Sequence, residues 1–283
     1  MTLKPYIQLM RLDKPIGAFL LLWPTLQAIF ISSHNHPSWR ILFGFTLGTW
    51  LMRSAGCVAN DMADKSFDRH VKRTANRPIA NGTLRRRQAV PLLLVLLTSS
   101  ASLLFLYNLQ TFFWAIPAVV LALSYPFMKR WIHFPQVVLG AAFSWSIPMA
   151  FVASGIKPEL IAFLLFFFSL LWVIAYDTEY AMVDRDDDVR IGVRSTAILF
   201  GKYDVTIIVL LQAIYLIGMI ALGSFIHLNI FFYLIMPIIA YFFVKQYVLI
   251  RTRDRMQCFT AFLANNRVGM VMTLAIYLGL FRI

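Results

Sequence analysis

The chain has 283 residues, 60% of them hydrophobic and only 14% charged, with a formal net charge of +13. That composition excludes an ordinary soluble globule and points to a polytopic membrane protein. The positive balance does not imply a nucleic-acid partner, because the basic residues alternate with apolar runs instead of forming one patch.

In chain order, Lys4, Arg11 and Lys14 precede a first apolar run, 16–31. No small-residue cleavage site follows, so the run reads as a retained span and not a signal peptide. Further apolar runs cover 39–59, 89–107, 111–128, 134–153, 160–176, 205–225, 228–250 and 259–280. Each is near the ~20 residues needed to cross a bilayer, and unpaired backbone is not tolerated in hydrocarbon, so all nine are expected to be helices. Pro24, Pro117, Pro148 and Pro237 fall inside these runs and are expected to kink or open them. The two cysteines, Cys57 and Cys258, have no spacing that implies a disulfide framework or a zinc site.

Basic residues crowd alternate connections: the N-terminus, residues 65–87 (among them Lys65, Lys72, Arg73 and Arg77), Lys129 and Arg130, residues 185–202, and residues 251–267. The opposite side receives Arg40, Lys157 and Arg282, while Arg53 and Lys245 lie within runs. This bias places the N-terminus in the cytoplasm and the chain in the inner membrane as a multi-pass protein.

Most of the 13 acidic residues occupy two windows. Asp61, Asp64 and Asp68 follow the second run at i, i+3 and i+7, and Asp177, Asp184 and Asp188 follow the sixth at i, i+7 and i+11. On a helix the first set spans an arc of about 60°, and the second is similarly narrow. Carboxylates stacked beside an apolar segment are tolerable when a cation lies against them. Both windows fall on the predicted cytoplasmic side, although acids played no part in the topology count. Facing pairs Asp64/Asp68 and Asp184/Asp188 would suit Mg²⁺ shared with phosphate oxygens. The adjoining loops offer Lys72, Arg73, Arg77 and Arg194 to an oxyanion. Carboxylates, metal and arginines at a membrane suit a diphosphate on a lipid tail. The 25 Phe, 11 Tyr and 7 Trp could supply a dry wall for an allylic cation. A lone pair of aspartates at i, i+4 is usually a solvated helix face, and most of the aromatics are packing or lipid-facing residues. Arg130 is an interface anchor by default and a fork for an aromatic carboxylate by function.

The Asn60–Asp68 run, N-D-x-x-D-x-x-x-D, and the D-x-x-x-D run at Asp184–Asp188 resemble the UbiA superfamily of intramembrane prenyltransferases. Longer stretches at 12–17, 69–78, 125–148 and 176–201 resemble its bacterial branch that acts on 4-hydroxybenzoate. Ile79-Ala80-Asn81-Gly82 and Glu179 depart from the pattern without touching the aspartates. The resemblance implies an all-α membrane bundle of nine transmembrane helices, with a central cavity open to the cytoplasm. It also implies Mg²⁺ dependence and transfer of a polyprenyl group from its diphosphate to the ring carbon beside the hydroxyl of 4-hydroxybenzoate, in ubiquinone biosynthesis. Asp64, Asp68, Asp184 and Asp188 would hold metal and diphosphate, assisted by Asn60 and Asp61. Arg130 would meet the carboxylate, and Asp177 or Asp184 would polarise the phenol. A single domain, 1–283, is expected, with a diverged repeat of about 1–155 and 156–283 suggested by the span–acid–basic-loop echo. A relative using naphthoate or haem, a cation-coupled transporter and a non-catalytic lipid-binding scaffold remain as alternatives.

Overall fold

The computed structural model describes residues 3–281; Arg282, placed by the charge pattern on the far side, lies outside them. The described residues form helices without a strand: α1 Lys4–Leu9, α2 Ile16–Ser32, α3 Trp39–Ala63, α4 Lys65–Asp68, α5 Arg86–Ser102, α6 Leu109–Trp131, α7 Pro135–Ser144, α8 Ser146–Ala153, α9 Leu160–Ile191, α10 Thr196–Phe200, α11 Asp204–Phe225, α12 Ile230–Ile250 and α13 Arg255–Gly279. Long helices start at side-chain caps that accept otherwise orphaned N–H groups. Asn108 accepts from Thr111 at 2.9 Å, Asn229 from Phe231 at 2.9 Å and Asp254 from Gln257 at 3.0 Å.

Among the described residues, eight helical stretches are long and apolar enough to cross a membrane, and α2 is a shorter apolar helix of 17 residues. The chain is therefore a multi-pass membrane protein. Its outward faces are apolar: Leu234, Ile238, Tyr241, Val244 and Val248 form an exposed stripe on α12. Polar groups are turned inward instead. Gln212 on α11 donates to Glu179 on α9 at 3.2 Å and to Gln246 on α12 at 2.7 Å, and Asn265 on α13 donates to Glu179 at 2.8 Å. In hydrocarbon such groups must find partners within the protein, so this network ties four helices together. Beside it, Trp172 stacks on Tyr215 and meets Tyr176 edge-on. Gly269 lets α13 approach both α2 and α9, since a Cβ there would collide with the Trp23 ring and lie 2.8 Å from the Trp172 ring.

Two features differ from the sequence expectation, and a third, the break near Pro148, follows it. α3 ends at Ala63, and Asp64 joins it to the short α4, so Asp61, Asp64 and Asp68 do not share one continuous helix. The run 134–153 breaks at Trp145 into α7 and α8, because Pro148 removes the bond that the Ser144 carbonyl would accept. Pro24, Pro117 and Pro237, by contrast, sit within continuous helices. α9 extends to Ile191; its 32 residues span about 48 Å, against a hydrocarbon core of ~30 Å, so its acidic end projects beyond the apolar slab.

Candidate active site

Both acidic windows line one cavity of about 870 Å³. Asp61, Asp64, Asp68, Asp177 and Asp184 are buried on its wall, and Asp188 is half-buried. The loop after α4 is folded back over this opening. Its Ile79 and Leu84 are buried against Leu9, Ala55 and Val58. Arg69 donates to the Ala80 carbonyl at 2.8 Å and the Thr74 hydroxyl to the Asp68 carbonyl at 2.9 Å. Burial of those apolar residues fixes the loop, and the fixed loop aims Arg73 and Arg77 at the acids.

Arg77 donates to Asp61 at 3.0 Å and to Asp68 at 2.9 Å, while Arg11 meets both oxygens of Asp61 at 3.0 Å. Arg11 has a φ of 58°, a left-handed conformation that costs a non-glycine residue roughly 1 kcal/mol or more. Lys129 reaches Asp64 at 3.3 Å. Arg73 pairs with Asp184, its Nε lying 3.0 Å from both oxygens, and its guanidinium lies over the Tyr180 ring. Burial pushes the Asp68 carboxyl above the ordinary carboxylate range; Arg77 opposes this, and Asp61 and Asp64 add to it. Burial also works against the charge on Arg77, but Asp61 and Asp68 outweigh it and hold its pKa above the usual arginine value.

The C-terminal end of α9 is set by Gly192, whose φ of 72° stops the helix. Val193 then donates to the Asp188 carbonyl at 3.0 Å, and Arg194 returns to the cavity wall, its backbone N–H on the Lys129 carbonyl at 3.1 Å. Asn60 also lines the cavity, and its Oδ1 is buried without a hydrogen-bond donor. Lys72 is not brought to the site: it is exposed and absent from the cavity wall. It is adjacent to Arg73 in sequence, but the loop turns only the latter inward. Arg130 lines the cavity, donates to the Ala63 carbonyl at 2.9 Å and lies 4.0 Å from Asp64, its guanidinium over Phe67 and Phe127.

Some residues were not anticipated. Arg11 and Lys129 complete the charge pairing. Arg53, midway along α3, lines the cavity over the Phe143 ring at 5.5 Å, and its buried Nε has no acceptor. Its sequence signal was available: an arginine inside an apolar run is costly and is most often retained for a function. Asp177 lies beside Gln136 and makes no salt bridge among the described residues.

Among the described residues no three His, Cys, Asp or Glu side chains converge as a preformed metal cluster. Asp61, Asp64, Asp68 and Asp184 instead meet guanidinium and ammonium groups. Hard oxygen donors arranged this way can accept a hard divalent cation that brings further oxygen ligands with it, and the displaced arginines and lysine can turn to a polyanion.

Comparison with known proteins agrees with this chemistry. A protein of Vibrio parahaemolyticus named 4-hydroxybenzoate octaprenyltransferase is 50% identical over 273 residues, 96% of each chain. One of the same name from Aliivibrio fischeri is 52% identical, covering 95% of this chain and 94% of its own. Among solved structures, the apo UbiA homolog from Aeropyrum pernix superposes with a TM-score of 0.80 at 20% identity, covering 90% of this chain and 96% of that one. The Archaeoglobus fulgidus UbiA homolog bound to GPP and Mg²⁺ gives 0.74 at 17%, covering 97% and 98%. The model of the UbiA prenyltransferase family matches residues 21–274, nearly the whole chain, and the protein belongs to that family.

Proposed function

We propose that this chain transfers a polyprenyl group, octaprenyl by the names of its relatives, from the diphosphate to the ring carbon ortho to the hydroxyl of 4-hydroxybenzoate. The observation that carries the proposal is a cavity whose mouth gathers both acidic windows with their cations and whose depth is apolar and aromatic. Asp64, Asp68, Asp184 and Asp188, with Asp61 and Asn60, would hold Mg²⁺ and the diphosphate. The donor set fits: the oxygens are hard, and the unpartnered Asn60 Oδ1 suits a cation or its water. When bound, the metal neutralises charge on the leaving group.

Arg73, Arg77, Arg194 and Lys129 bind and orient the diphosphate oxygens. The C1–O bond breaks, and its electron pair leaves with the diphosphate. The ring carbon bonds to C1, and loss of the ring proton restores aromaticity. Tyr125, Tyr176 and Tyr180 line the cavity and offer π faces to the developing allylic cation while keeping water out. Asp177 would polarise the phenol hydroxyl, a reading supported by the engagement of Asp184 with Arg73.

The acceptor carboxylate has two candidate partners. Arg130 sits at the mouth but already serves Ala63 and Asp64. Arg53 lies deeper, with an unsatisfied Nε, and the geometry favours it. The positive-inside bias supports a cytoplasmic mouth and N-terminus in the inner membrane. The activity is tested by product analysis with purified protein in lipid, given 4-hydroxybenzoate and octaprenyl diphosphate. A C-prenylated acid should form with Mg²⁺ and cease with EDTA; product formation unaffected by EDTA, or none in either condition, would contradict the proposal.

A further inference from the structure

Gln136 lines the cavity but takes no part in the steps above. It is the second residue of α7, behind Pro135, whose ring starts that helix after the non-helical step from α6. Its side chain is buried. A buried amide carries an oxygen that accepts and a nitrogen that donates, and both must find partners.

Both partners lie on other helices. The Gln136 Oε1 accepts from the Thr196 N–H at 3.0 Å. That N–H belongs to the first turn of α10, whose donors have no partner within the helix. The amide cannot be turned over, because its amino group would then face a second donor. Nε2 is therefore left for the Asp177 carboxyl on α9, which the same side chain meets. A further bond fixes α10 against α9: the Thr178 and Thr196 hydroxyls are 2.7 Å apart, and Thr178 donates to the Ile174 carbonyl at 2.6 Å. Asp177, without a salt bridge among the described residues, takes its orientation from this amide. Arg194 and Ser195, both on the cavity wall, immediately precede Thr196. One side chain thus joins the carboxyl read as polarising the phenol to the connection that brings Arg194 toward the diphosphate.

We propose that Gln136 is a positioning residue whose amide holds Asp177 in register with the Arg194 connection, so that the acceptor ring and the donor C1 meet in line. This rests on the prenyl transfer, and on the role of Asp177, proposed above. Gln136 acts through Asp177 and Thr196 and touches neither reacting atom.

The test measures kcat and the KM for octaprenyl diphosphate, on full-length protein in lipid with saturating 4-hydroxybenzoate. Gln136→Glu keeps an acceptor for the Thr196 N–H but sets a second carboxylate against Asp177. It should lower kcat roughly 10- to 100-fold, the scale of a small misplacement, and leave the donor KM unchanged. Gln136→Leu loses both bonds, so kcat should fall similarly and the donor KM should rise severalfold. In an Asp177→Ala background, itself slow, Gln136→Glu should cost no further kcat, because residues acting as one unit are not additive. Mg²⁺-dependent binding of an unreactive octaprenyl thiodiphosphate reports that a variant has folded. If Gln136→Glu has not, Gln136→Asn, too short to span both partners, should lower kcat in the same way and again only while Asp177 is present. Equal effects of the Glu and Leu variants on the donor KM, or a kcat loss that persists in full without Asp177, overturns the positioning role and leaves prenyl transfer standing. No turnover by the unmodified protein overturns the activity and the role with it.

Discussion

Arg53 and Arg130 carry the same guanidinium into the same cavity, and their surroundings give them different work. Arg130 is stacked between Phe67 and Phe127 and bonded to the Ala63 carbonyl, so it braces the junction at Asp64. Arg53 has an aromatic neighbour but no acceptor for its Nε. A hydrogen bond between charged groups contributes about 1.5–3 kcal/mol, so Arg53→Ala should raise KM for 4-hydroxybenzoate roughly 10- to 100-fold. Arg130→Ala should act mainly on kcat. Steady-state kinetics with the acceptor varied distinguishes them; the reverse pattern assigns the carboxylate to Arg130. The acidic windows were visible in the sequence because two such clusters, each flanked by cations, fell on the same predicted side, which a solvated helix face does not explain. The roles of Arg11 and Lys129 were not, since a lone cation in a connection serves equally as an anchor, and only the fold shows which one faces an acid. Lys72 shows the same limit: its neighbour Arg73 points into the cavity and it does not.

At the scale of helices, hydropathy located each apolar run but not where its helix would break. Asp64 was expected inside a helical stripe and instead joins α3 to α4; no proline or glycine marks that site. Pro148 does break its run, whereas Pro24, Pro117 and Pro237 are absorbed within helices. Glycines can be compared in the same way. Gly269 lies where a Cβ would press on Trp172, so Gly269→Ala should cost about 1–3 kcal/mol by overpacking. Gly56 has nothing within 4 Å of its Cβ position and sits in α3, so Gly56→Ala should gain roughly 0.5–1 kcal/mol from helix propensity. Thermal midpoints in detergent check the pair: the first should fall and the second rise. Equal shifts would mean that close packing of α13 on α2 and α9 does not limit stability.

At the scale of the whole molecule, a bundle with apolar outer faces and an inward polar network encloses a cavity charged at one end. α9 is long enough to carry Asp184 and Asp188 beyond the hydrocarbon, and the loop after α4 folds back to meet Asp184. This arrangement brings together residues more than a hundred positions apart, such as Arg73 and Asp184. The sequence suggested the partnership through topology, because both windows fell on one side, but it could not show which cation serves which acid. If the two windows act as one metal–diphosphate site, losing either should disable the whole. The most direct measurement is Mg²⁺-dependent binding of an unreactive octaprenyl thiodiphosphate to the unmodified protein, to Asp64→Ala, to Asp188→Ala and to the double variant, all reconstituted in lipid. The expected result is that each single substitution removes Mg²⁺-dependent binding and the double variant is no worse. Full binding by either single variant, or losses that simply add in the double, would contradict a shared site.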